Sequence, residues 1–254
     1  MQNLDPVDPG SPAARADGDS CPAAIDNVRH HCHGGSPPKR TPSRPAAYPG
    51  MPMTLSVPNI LKRHPRVIDA LHAAGLVEAF SSTTTQELAC IERHASGSKA
   101  AVEIGTAMGV SAARIARAMA PDGILYCVDP YPAYQDPMWR ICRRVLRRHG
   151  LSDKVRFVRF LSAEAAFQLP SRCDFFFVDG DHSGEGLATD WKIVKDHLIP
   201  GGVACFHDTT VPPEDRDRRH GSVAYFQEVI LHDPQFVHVE TCYSLNVMRR
   251  EHAA

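Results

Sequence analysis

No run of about 18 or more apolar residues occurs in the sequence, and the N-terminus lacks a basic segment followed by an apolar core. These absences exclude the usual signatures of a membrane-spanning helix and of a secretory signal. An excess of charge of either sign is also missing, because the 254 residues carry a formal net charge of −1. A dedicated binder of nucleic acid or of membrane surfaces normally has a basic excess. We therefore expect a soluble, cytoplasmic protein with neither partner.

Cys-x-x-Cys spacing, which is common in metal-binding and redox motifs, is absent as well. Several of the eight cysteines lie in apolar, strand-like runs, so we interpret most of them as reduced and buried small hydrophobic residues. The cysteines are Cys21, Cys32, Cys90, Cys127, Cys142, Cys173, Cys205 and Cys242.

The first 50 residues have few large apolar side chains but contain nine of the 21 prolines. Such a segment cannot bury enough surface to offset the entropy of ordering it, so we predict a disordered leader over residues 1–52. The composition changes at Met51 and Met53, which predicts a native start there. Adjacent potential metal ligands occur in the leader, but adjacent ligands on an unstructured chain do not fix a tetrahedral site. They are His30, His31, Cys32 and His33.

Residues 53–98 have the pattern of a small helical cap. Val67 and Leu71 lie at helical spacing, and Thr84 with Glu87 resembles a capping box that opens a second helix. Helices in this position provide substrate contacts, a dimer surface or plain packing. The sequence leaves these alternatives open, and with them the question of a homo-oligomer.

From residue 99 to residue 254, apolar strands alternate with helices. This pattern predicts an α/β domain with a mostly parallel sheet covered by helices on both faces. The predicted strands are 100–104, 124–128, 155–160, 174–178 and 203–206, and the predicted helices are 110–119, 137–149, 163–168, 185–198 and 222–231. Segments 236–240 and 243–248 are joined by a short link, which indicates a C-terminal antiparallel hairpin.

The stretch from Ala101 to Ser111 combines an apolar strand, a Gly-x-x-x-Gly turn and the start of a helix, as in nucleotide-type pockets. Glu103 precedes Gly105 by two residues, where a carboxylate would repel phosphate but attract a cationic ligand. S-adenosylmethionine (SAM), with its ammonium and sulfonium, is such a ligand. The glycines alone would equally suit a turn that packs a helix on a strand. The other cofactor candidates in this turn are Thr106, Ala107, Gly109 and Ser111.

Asp129 ends the next strand, about two dozen residues after the first glycine, with Pro130 beside it. A carboxylate at this place accepts hydrogen bonds from both ribose hydroxyls, although Asp129 would also suit a turn cap. Ser162, Ala163 and Glu164 follow the third strand and are candidates for contact with adenine. Ser162 is at the same time a candidate helix N-cap.

Two later strands end in ionisable residues. Asp179 and His182 follow the apolar strand 174–178, and His207 and Asp208 follow the next strand. Because the carboxyl ends of parallel strands meet at one edge of a sheet, these carboxylates and imidazoles should lie together. Such a set can bind a divalent cation and supply a general base. The alternatives are that Asp179 caps a turn, that His182 is a surface residue and that His207 is a core histidine.

Together these motifs resemble those of class I SAM-dependent methyltransferases. They are Val102-Glu103-Ile104-Gly105-Thr106-Ala107-Met108-Gly109, Val128-Asp129-Pro130, Phe177-Val178-Asp179-Gly180-Asp181-His182 and Pro200-Gly201-Gly202-Val203-Ala204-Cys205-Phe206-His207-Asp208. The resemblance covers roughly residues 60 to 250. It is strongest to small-molecule enzymes that include metal-dependent O-methyltransferases acting on sugars and other natural products. It implies a Rossmann-like, seven-stranded sheet whose last strand is antiparallel.

The resemblance also implies roles for individual residues. In the metal-dependent enzymes, the matching positions make Asp179 and Asp208 magnesium ligands and His182 the base, and Asp179 also borders the cofactor. His207 departs from the pattern, since it stands where an acidic ligand is expected and imidazole suits magnesium poorly. Either His207 joins Asp179 and Asp208 around a softer metal such as manganese or iron, or no metal binds.

We therefore predict that the chain moves a methyl group from SAM to a hydroxyl of a small molecule, with an amine as second choice. Whether Mg²⁺ or Mn²⁺ assists is left open. Two alternatives remain at this stage. One is a nicotinamide-dependent oxidoreductase on a Rossmann sheet, which Glu103 and the Gly-x-x-x-Gly spacing disfavour. The other is a non-catalytic protein that retains the cofactor fold.

Overall fold

The computed structural model describes residues 63–212 and 220–251. The predicted leader, residues 1–52, lies outside them. Within these two ranges, no helix is both long enough and apolar enough to cross a membrane. Six cysteines fall in the described ranges; all six are free thiols, and five of them are buried, in agreement with the sequence interpretation.

The described residues form one seven-stranded sheet in the order β3-β2-β1-β4-β5-β7-β6. The strands are β1 (Ala100–Ile104), β2 (Ile124–Val128), β3 (Val155–Val158), β4 (Cys173–Val178), β5 (Leu198–Phe206), β6 (Phe236–Cys242) and β7 (Leu245–Arg250). The pairs among β1 to β5 are parallel, whereas β7 runs antiparallel to both β5 and β6. This arrangement confirms the predicted fold class.

Seven α-helices pack around the sheet. They are α1 (Pro65–Ala73), α2 (Thr85–Ala95), α3 (Val110–Ala118), α4 (Asp136–Arg148), α5 (Ser162–Ala165), α6 (Gly184–His197) and α7 (Gly221–Glu228). Thr84 caps α2 as predicted: its hydroxyl accepts from the Glu87 N–H at 3.3 Å, and the Glu87 carboxylate accepts from the Thr84 N–H at 2.8 Å. Strands β2 and β3 lie on one side of β1, and strands β4 and β5 lie on the other, so the strand order reverses between β1 and β4. A ligand cleft is expected at the carboxyl ends of these two strands.

Several predicted boundaries were wrong, since the strand predicted at 155–160 ends at Val158 and the helix predicted at 222–231 ends at Glu228. Strand β5 begins at Leu198 rather than at residue 203, because Leu198 already pairs with Cys173 before an irregularity in the ladder. The hairpin turn lies at Tyr243 and Ser244 rather than at residues 241–242. Tyr243 has a φ of +60°, which reverses the chain, and the Ser244 N–H donates to Glu87 at 3.0 Å.

The two faces of the sheet carry separate hydrophobic cores. Phe175 and Phe177 of β4 point into the core shared with α2, α3 and α4, whereas Phe176 between them points into the core shared with α6 and α7. Side chains alternate between faces along a strand, so an uninterrupted apolar strand serves both cores. This explains why β4 is apolar from Phe175 to Val178.

Helix α1 is attached to the domain through α4. Arg144 forms an ion pair with Asp69, Arg140 lies 2.7 Å from the same carboxylate, and the Arg148 guanidinium donates to the His72 carbonyl at 3.1 Å. This part of α4 therefore packs against α1 and is not a solvated helix face. The boundaries of a separate cap at 53–98 and of a domain at 99–254 stay predictions.

Candidate active site

A cleft of about 380 Å³ lies at the carboxyl ends of β1, β2 and β4. A neighbouring cleft of about 240 Å³ lies toward the segment before α2 and is bordered by Phe80, Ser81 and Ser82. The predicted site residues that line one or both clefts are Gly105, Thr106, Ala107, Ser111, Asp129, Pro130, Ser162, Asp179 and His182. Glu103, Gly109, Ala163 and Glu164 line neither of these two clefts.

The two glycines of the turn at residues 105–109, hereafter the glycine turn, are required by contacts within the protein. Gly105 has a φ of +88°, and a Cβ atom there would lie 2.0 Å from the Asp179 carbonyl oxygen. Gly109 has a φ of +78°, and its Cβ would lie 2.5 Å from Cys142 Sγ on α4. Packing between the start of α3 and α4 is thus one reason for glycine at position 109, and its role toward the cofactor stays a prediction.

Glu103 is fully buried beneath the glycine turn. Its Oε2 accepts a weak hydrogen bond from the Cys127 thiol at 3.7 Å, and within the described residues its Oε1 has no hydrogen-bond partner. Burial, with a smaller contribution from the charge of Asp179, raises the pKa of Glu103 to about 7, and the nearby Ser111 and Thr106 hydroxyls offset this only in part. A carboxyl group in this state ionises readily when a cation approaches.

Asp129 holds two backbone turns together. Its Oδ2 accepts from the Ala107 N–H at 2.9 Å, and its Oδ1 accepts from the Tyr131 N–H at 3.0 Å. Ala107 and Tyr131 have positive φ values of 46° and 40°, and the Tyr131 hydroxyl donates to the Ala107 carbonyl at 2.7 Å. Each carboxylate oxygen keeps a lone pair that can accept a further bond at the cleft wall.

The segment at the start of α5 meets the cleft differently from the prediction. Leu161 is the N-cap residue and its side chain makes no cap, so Ser162 is the first helical residue and not the cap. Ala163 and Glu164 are exposed. The residues that line the cleft beside Ser162 are Phe160 and Leu161, with exposed fractions of 39% and 57%. The sequence did not predict this apolar surface, because its pattern assigned Phe160 to the end of a strand and Leu161 to the link that follows.

The carboxyl ends of β4 and β5 carry a cluster of charged and polar groups, which we name the carboxylate–imidazole cluster. Its members are Glu87, Asp179, His182, His207, Asp208 and His220. His207 is its centre: Nδ1 lies 2.8 Å from Asp179 Oδ1 and 3.6 Å from Asp208 Oδ2, and Nε2 lies 3.5 Å from Glu87 Oε2. Both ring nitrogens therefore face carboxylates.

The ring and its partners stabilise each other's charges. Burial acts to lower the pKa of His207, but hydrogen bonds to Asp179 and Glu87, together with the charges of Asp179 and Asp208, outweigh it and raise the pKa to about 10. Burial acts to raise the pKa of Glu87, but its bonds to His207, Ser244 and Thr84 lower it to about 2. The neighbouring carboxylates thus favour the protonated form of the His207 ring.

His182 lies at the open edge of this cluster, with 35% of its side chain exposed. Its Nε2 lies 3.9 Å from Asp179 Oδ1, and its Nδ1 lies 3.7 Å from Asp208 Oδ2. The His220 ring is next to it at 5.0 Å between centroids. Asp208 itself has a φ of +53°, a conformation in which its carbonyl accepts from the Ser222 hydroxyl at 2.7 Å.

The residues predicted to hold a metal, Asp179, His207 and Asp208, come together, and their metal role stays a prediction. A ligating imidazole offers a lone pair on one nitrogen, and both His207 ring nitrogens face carboxylates in this arrangement. Asp179 and Asp208 remain as oxygen donors only.

Sequence reasoning missed two residues of the carboxylate–imidazole cluster. Glu87 was assigned only to a capping box, and its contacts with Ser244 and His207 come from residues more than a hundred positions away. His220 carries no motif that marks it. For Glu87, the local sequence predicted the capping box with Thr84 but not the contact with His207.

Comparison with known proteins gives two findings. A family model described as a methyltransferase domain matches residues 102–209, which span the glycine turn, Asp129 and most of the carboxylate–imidazole cluster. No curated protein matches the sequence.

Solved structures with a similar fold include the O-methyltransferase from Bacillus cereus in complex with SAH. It is 22% identical with a TM-score of 0.54, and the alignment covers 78% of this chain and 93% of that chain. Another is the O-methyltransferase TomG from Streptomyces achromogenes, involved in tomaymycin synthesis and solved with SAM. It is 18% identical with a TM-score of 0.54, and the alignment covers 79% of this chain and 93% of that chain. These structures support the fold, and the family model matches a methyltransferase domain over the residues that carry most of the predicted motifs.

Proposed function

We propose that the protein binds SAM in the 380 Å³ cleft and transfers its methyl group to a hydroxyl of a small molecule, with His182 as the general base. One observation carries the proposal: Asp129, the ribose candidate, and His182, the base candidate, line the same cleft on either side of Gly105 and Asp179. A methyl donor bound at Asp129 would thus share this cleft with a proton acceptor, His182. Proximity of this kind is the main requirement for a displacement reaction.

The residues around the glycine turn fit the cofactor. Thr106 borders the 240 Å³ cleft, where its hydroxyl can receive a polar group. Glu103 is buried beneath the turn rather than in the cleft wall, and it becomes ionised at little cost when a cation binds above it. The free lone pairs of Asp129 suit the ribose hydroxyls. Phe160 and Leu161 offer an apolar surface for a flat base. When bound, SAM supplies a methyl group on a positively charged sulfur.

On the acceptor side, His182 would take the hydroxyl proton as the new O–C bond forms and the S–C bond breaks. The carboxylates of Asp179 and Asp208, at 3.9 and 3.7 Å from its two ring nitrogens, stabilise the imidazolium that results. This arrangement supports a hydroxyl as acceptor over an amine, because a neutral amine does not need a base before attack.

The acceptor itself is proposed to be small. The neighbouring 240 Å³ cleft is bordered by apolar residues, among them Phe80, Met108 and Met138, and is contiguous with Gly105 and Asp179. A cavity of this size suits a small organic molecule rather than a folded macromolecule. The Bacillus enzyme and TomG, named as O-methyltransferases, support the same choice.

We derive no step through a metal, because both ring nitrogens of His207 already face carboxylates. The test is turnover after EDTA treatment followed by exchange into metal-free buffer. We expect the treated protein to retain most of its activity and Mg²⁺ or Mn²⁺ to add little. Loss of activity that either ion restores would show that Asp179 and Asp208 hold a metal.

The function is tested by binding and then by turnover. Calorimetry should show binding of SAM and of S-adenosylhomocysteine but not of NAD⁺; binding of NAD⁺ alone would establish the oxidoreductase alternative. Formation of S-adenosylhomocysteine is then followed with a panel of alcohols, phenols and amines of similar size. We expect turnover with hydroxyl compounds. Tight SAM binding with no turnover across an extract of small molecules would instead identify a non-catalytic binder.

A further inference from the structure

A second cluster of metal-ligating side chains lies outside the clefts, where α2 packs against β6, the last strand of the sheet. Cys90 and His94 belong to α2, and Glu240 belongs to β6. One ligand atom of each lies within 4.8 Å of the other two, and all three belong to well-packed segments. Cys242 follows on the same strand, and its thiol interacts with that of Cys90. The chain thus brings three potential ligands together and places a fourth, the Cys242 thiol, beside Cys90.

Two local features produce this arrangement. Cys90 and His94 are four residues apart on α2, so they lie on one face of the helix. The ladder of β6 has an irregularity between His238 and Glu240, after which Glu240 pairs with Val247 and Cys242 pairs with Leu245. A bulge of this kind changes the face to which the following side chains point.

The residues of β7 that pair with Glu240 and Cys242 show which face these two side chains share. Val247 and Leu245 belong to the core on the α2 side of the sheet, and directly paired residues share a face. Thr241, between them, pairs with Asn246 and bonds to it at 2.7 Å on the other face. Without the bulge, Glu240 and Cys242 would point away from α2.

We propose that Cys90, His94, Glu240 and Cys242 form a site for a structural zinc ion that joins α2 to the edge strand β6. Thiolate, imidazole and carboxylate are the ligands that Zn²⁺ prefers, and two residues from a helix with two from a strand can surround a tetrahedral ion. Four protein ligands leave no position for a substrate, so the site is structural. Its burial ranges from fully buried Cys90 to Glu240 with 36% of its side chain exposed, which provides an entry path.

A cation already contacts two of these ligands. An Arg93 guanidinium nitrogen lies 2.6 Å from Glu240 Oε1 and 3.5 Å from Cys90 Sγ. His94 Nε2 lies 2.7 Å from the same Glu240 oxygen. Arg93 is a long residue with 58% of its side chain exposed, so it can move into solvent when a metal ion takes its place. The guanidinium thus competes with the metal, which gives the proposal a distinctive test.

The experiment is a titration of the full chain, reduced and freed of metal, with Co²⁺ as a spectroscopic probe for Zn²⁺. We expect the visible bands of tetrahedral Co²⁺ and a thiolate charge-transfer band, both abolished by about one equivalent of Zn²⁺. Cys90→Ser should lose the charge-transfer intensity in large part, and Arg93→Ala should bind Co²⁺ on the order of tenfold more tightly. Cys173→Ser is the matched control, since Cys173 is a buried thiol elsewhere in the fold.

A second control addresses the leader, whose sequence contains His30, His31, Cys32 and His33. Cys32→Ser should leave the spectrum unchanged; if it removes the thiolate band while Cys90→Ser does not, the proposal is wrong. Should Cys90→Ser fail to fold, Glu240→Gln at the more exposed position replaces it. Zn²⁺ at about 100 times its dissociation constant should raise the Tm of the unmodified protein by about 5–10 °C, and that of Glu240→Gln by much less.

Two results would overturn the proposal. One is the absence of tetrahedral Co²⁺ bands in the reduced protein. The other is formation of a Cys90–Cys242 disulfide on removal of reductant, together with no metal uptake by the thiols, which would identify a redox pair. Because the readout is metal binding and stability, neither result depends on whether the protein transfers methyl groups.

Discussion

The two sides of the cleft are built in different ways. The side formed by the glycine turn and Asp129 depends on backbone geometry: Gly105, Ala107 and Tyr131 all have positive φ values, and Asp129 holds the last two through their N–H groups. The side formed by the carboxylate–imidazole cluster depends on side chains from four separate segments. Its central contact joins Glu87 to His207.

This difference predicts how each side fails. A backbone-built turn should be sensitive to added atoms, because close contacts leave no space for them. A cluster of buried charges should be sensitive to the loss of one charge, because its partners then lie buried without compensation. Four substitutions test this contrast, two on each side.

The largest effect is expected for Gly105→Ala, which places a Cβ 2.0 Å from the Asp179 carbonyl at a φ of +88°. We expect a loss of more than about 4 kcal/mol in the free energy of unfolding, measured by urea denaturation. Gly97→Ala is the matched control, since Gly97 has a φ of +76° with no atom within 4 Å of the added Cβ. It should lose only about 1 kcal/mol. Equal losses would mean that the contact with Asp179 does not matter.

His207→Asn should come next. It removes the imidazolium between Glu87 and Asp179 and leaves two carboxylates close together, with Glu87 fully buried. Loss of one partner from a buried charge network costs about 3–5 kcal/mol of stability. His197→Asn, at a half-buried histidine that bonds only to a backbone carbonyl at 2.8 Å, should cost far less. A small effect at His207 would show that the cluster is not held together by charge.

His182→Ala separates chemistry from structure on the same side. Because His182 is partly exposed and its carboxylate neighbours lie beyond hydrogen-bond distance, stability should change little. Turnover should fall by about 10²- to 10⁴-fold, the usual contribution of a general base, with SAM affinity nearly unchanged. Kinetics with a hydroxyl acceptor and calorimetry with SAM measure the two quantities. Turnover equal to that of the His232→Ala surface control would remove His182 from the mechanism.

The same contrast explains what the sequence could predict. Strands β1 and β2 begin and end at the predicted residues, because a short apolar strand followed by a glycine or Asp-Pro turn is a local pattern. The fold class follows from the alternation of such strands with helices. The glycine turn was recognised for the same reason, although its sequence did not show that Gly109 packs against Cys142.

The cluster could be predicted only as a set of strand-end residues. Its arrangement depends on Glu87, which reaches Ser244 at 2.6 Å across 157 positions, and on His220, whose ring lies 5.0 Å from that of His182 across 38 positions. No periodicity or spacing encodes such contacts. The bulge that turns Glu240 and Cys242 toward α2 was also unforeseen, since a strand pattern alone does not show where an extra residue enters a ladder.

The smallest effect is expected for Glu103→Gln on the backbone-built side, and its sign depends on pH. The pKa of Glu103 is about 7 in the folded protein and ordinary in the unfolded chain, so the carboxyl is protonated in one and ionised in the other between about pH 4.5 and pH 7. The unfolded chain binds fewer protons there, and the free energy of unfolding of the natural protein therefore falls as the pH rises through this window.

Glu103→Gln lacks this proton release, so relative to the natural protein it should gain stability from pH 4.5 to pH 7, by up to about 3 kcal/mol, and differ little below pH 4.5. Urea denaturation at several pH values measures the difference, with Glu92→Gln on the surface as control. A cation bound near Glu103 favours the ionised form, so SAM affinity should rise with pH in the natural protein and stay flat in Glu103→Gln. Parallel affinity curves would place the SAM ammonium away from Glu103 and leave its carboxyl group without a part in cofactor binding.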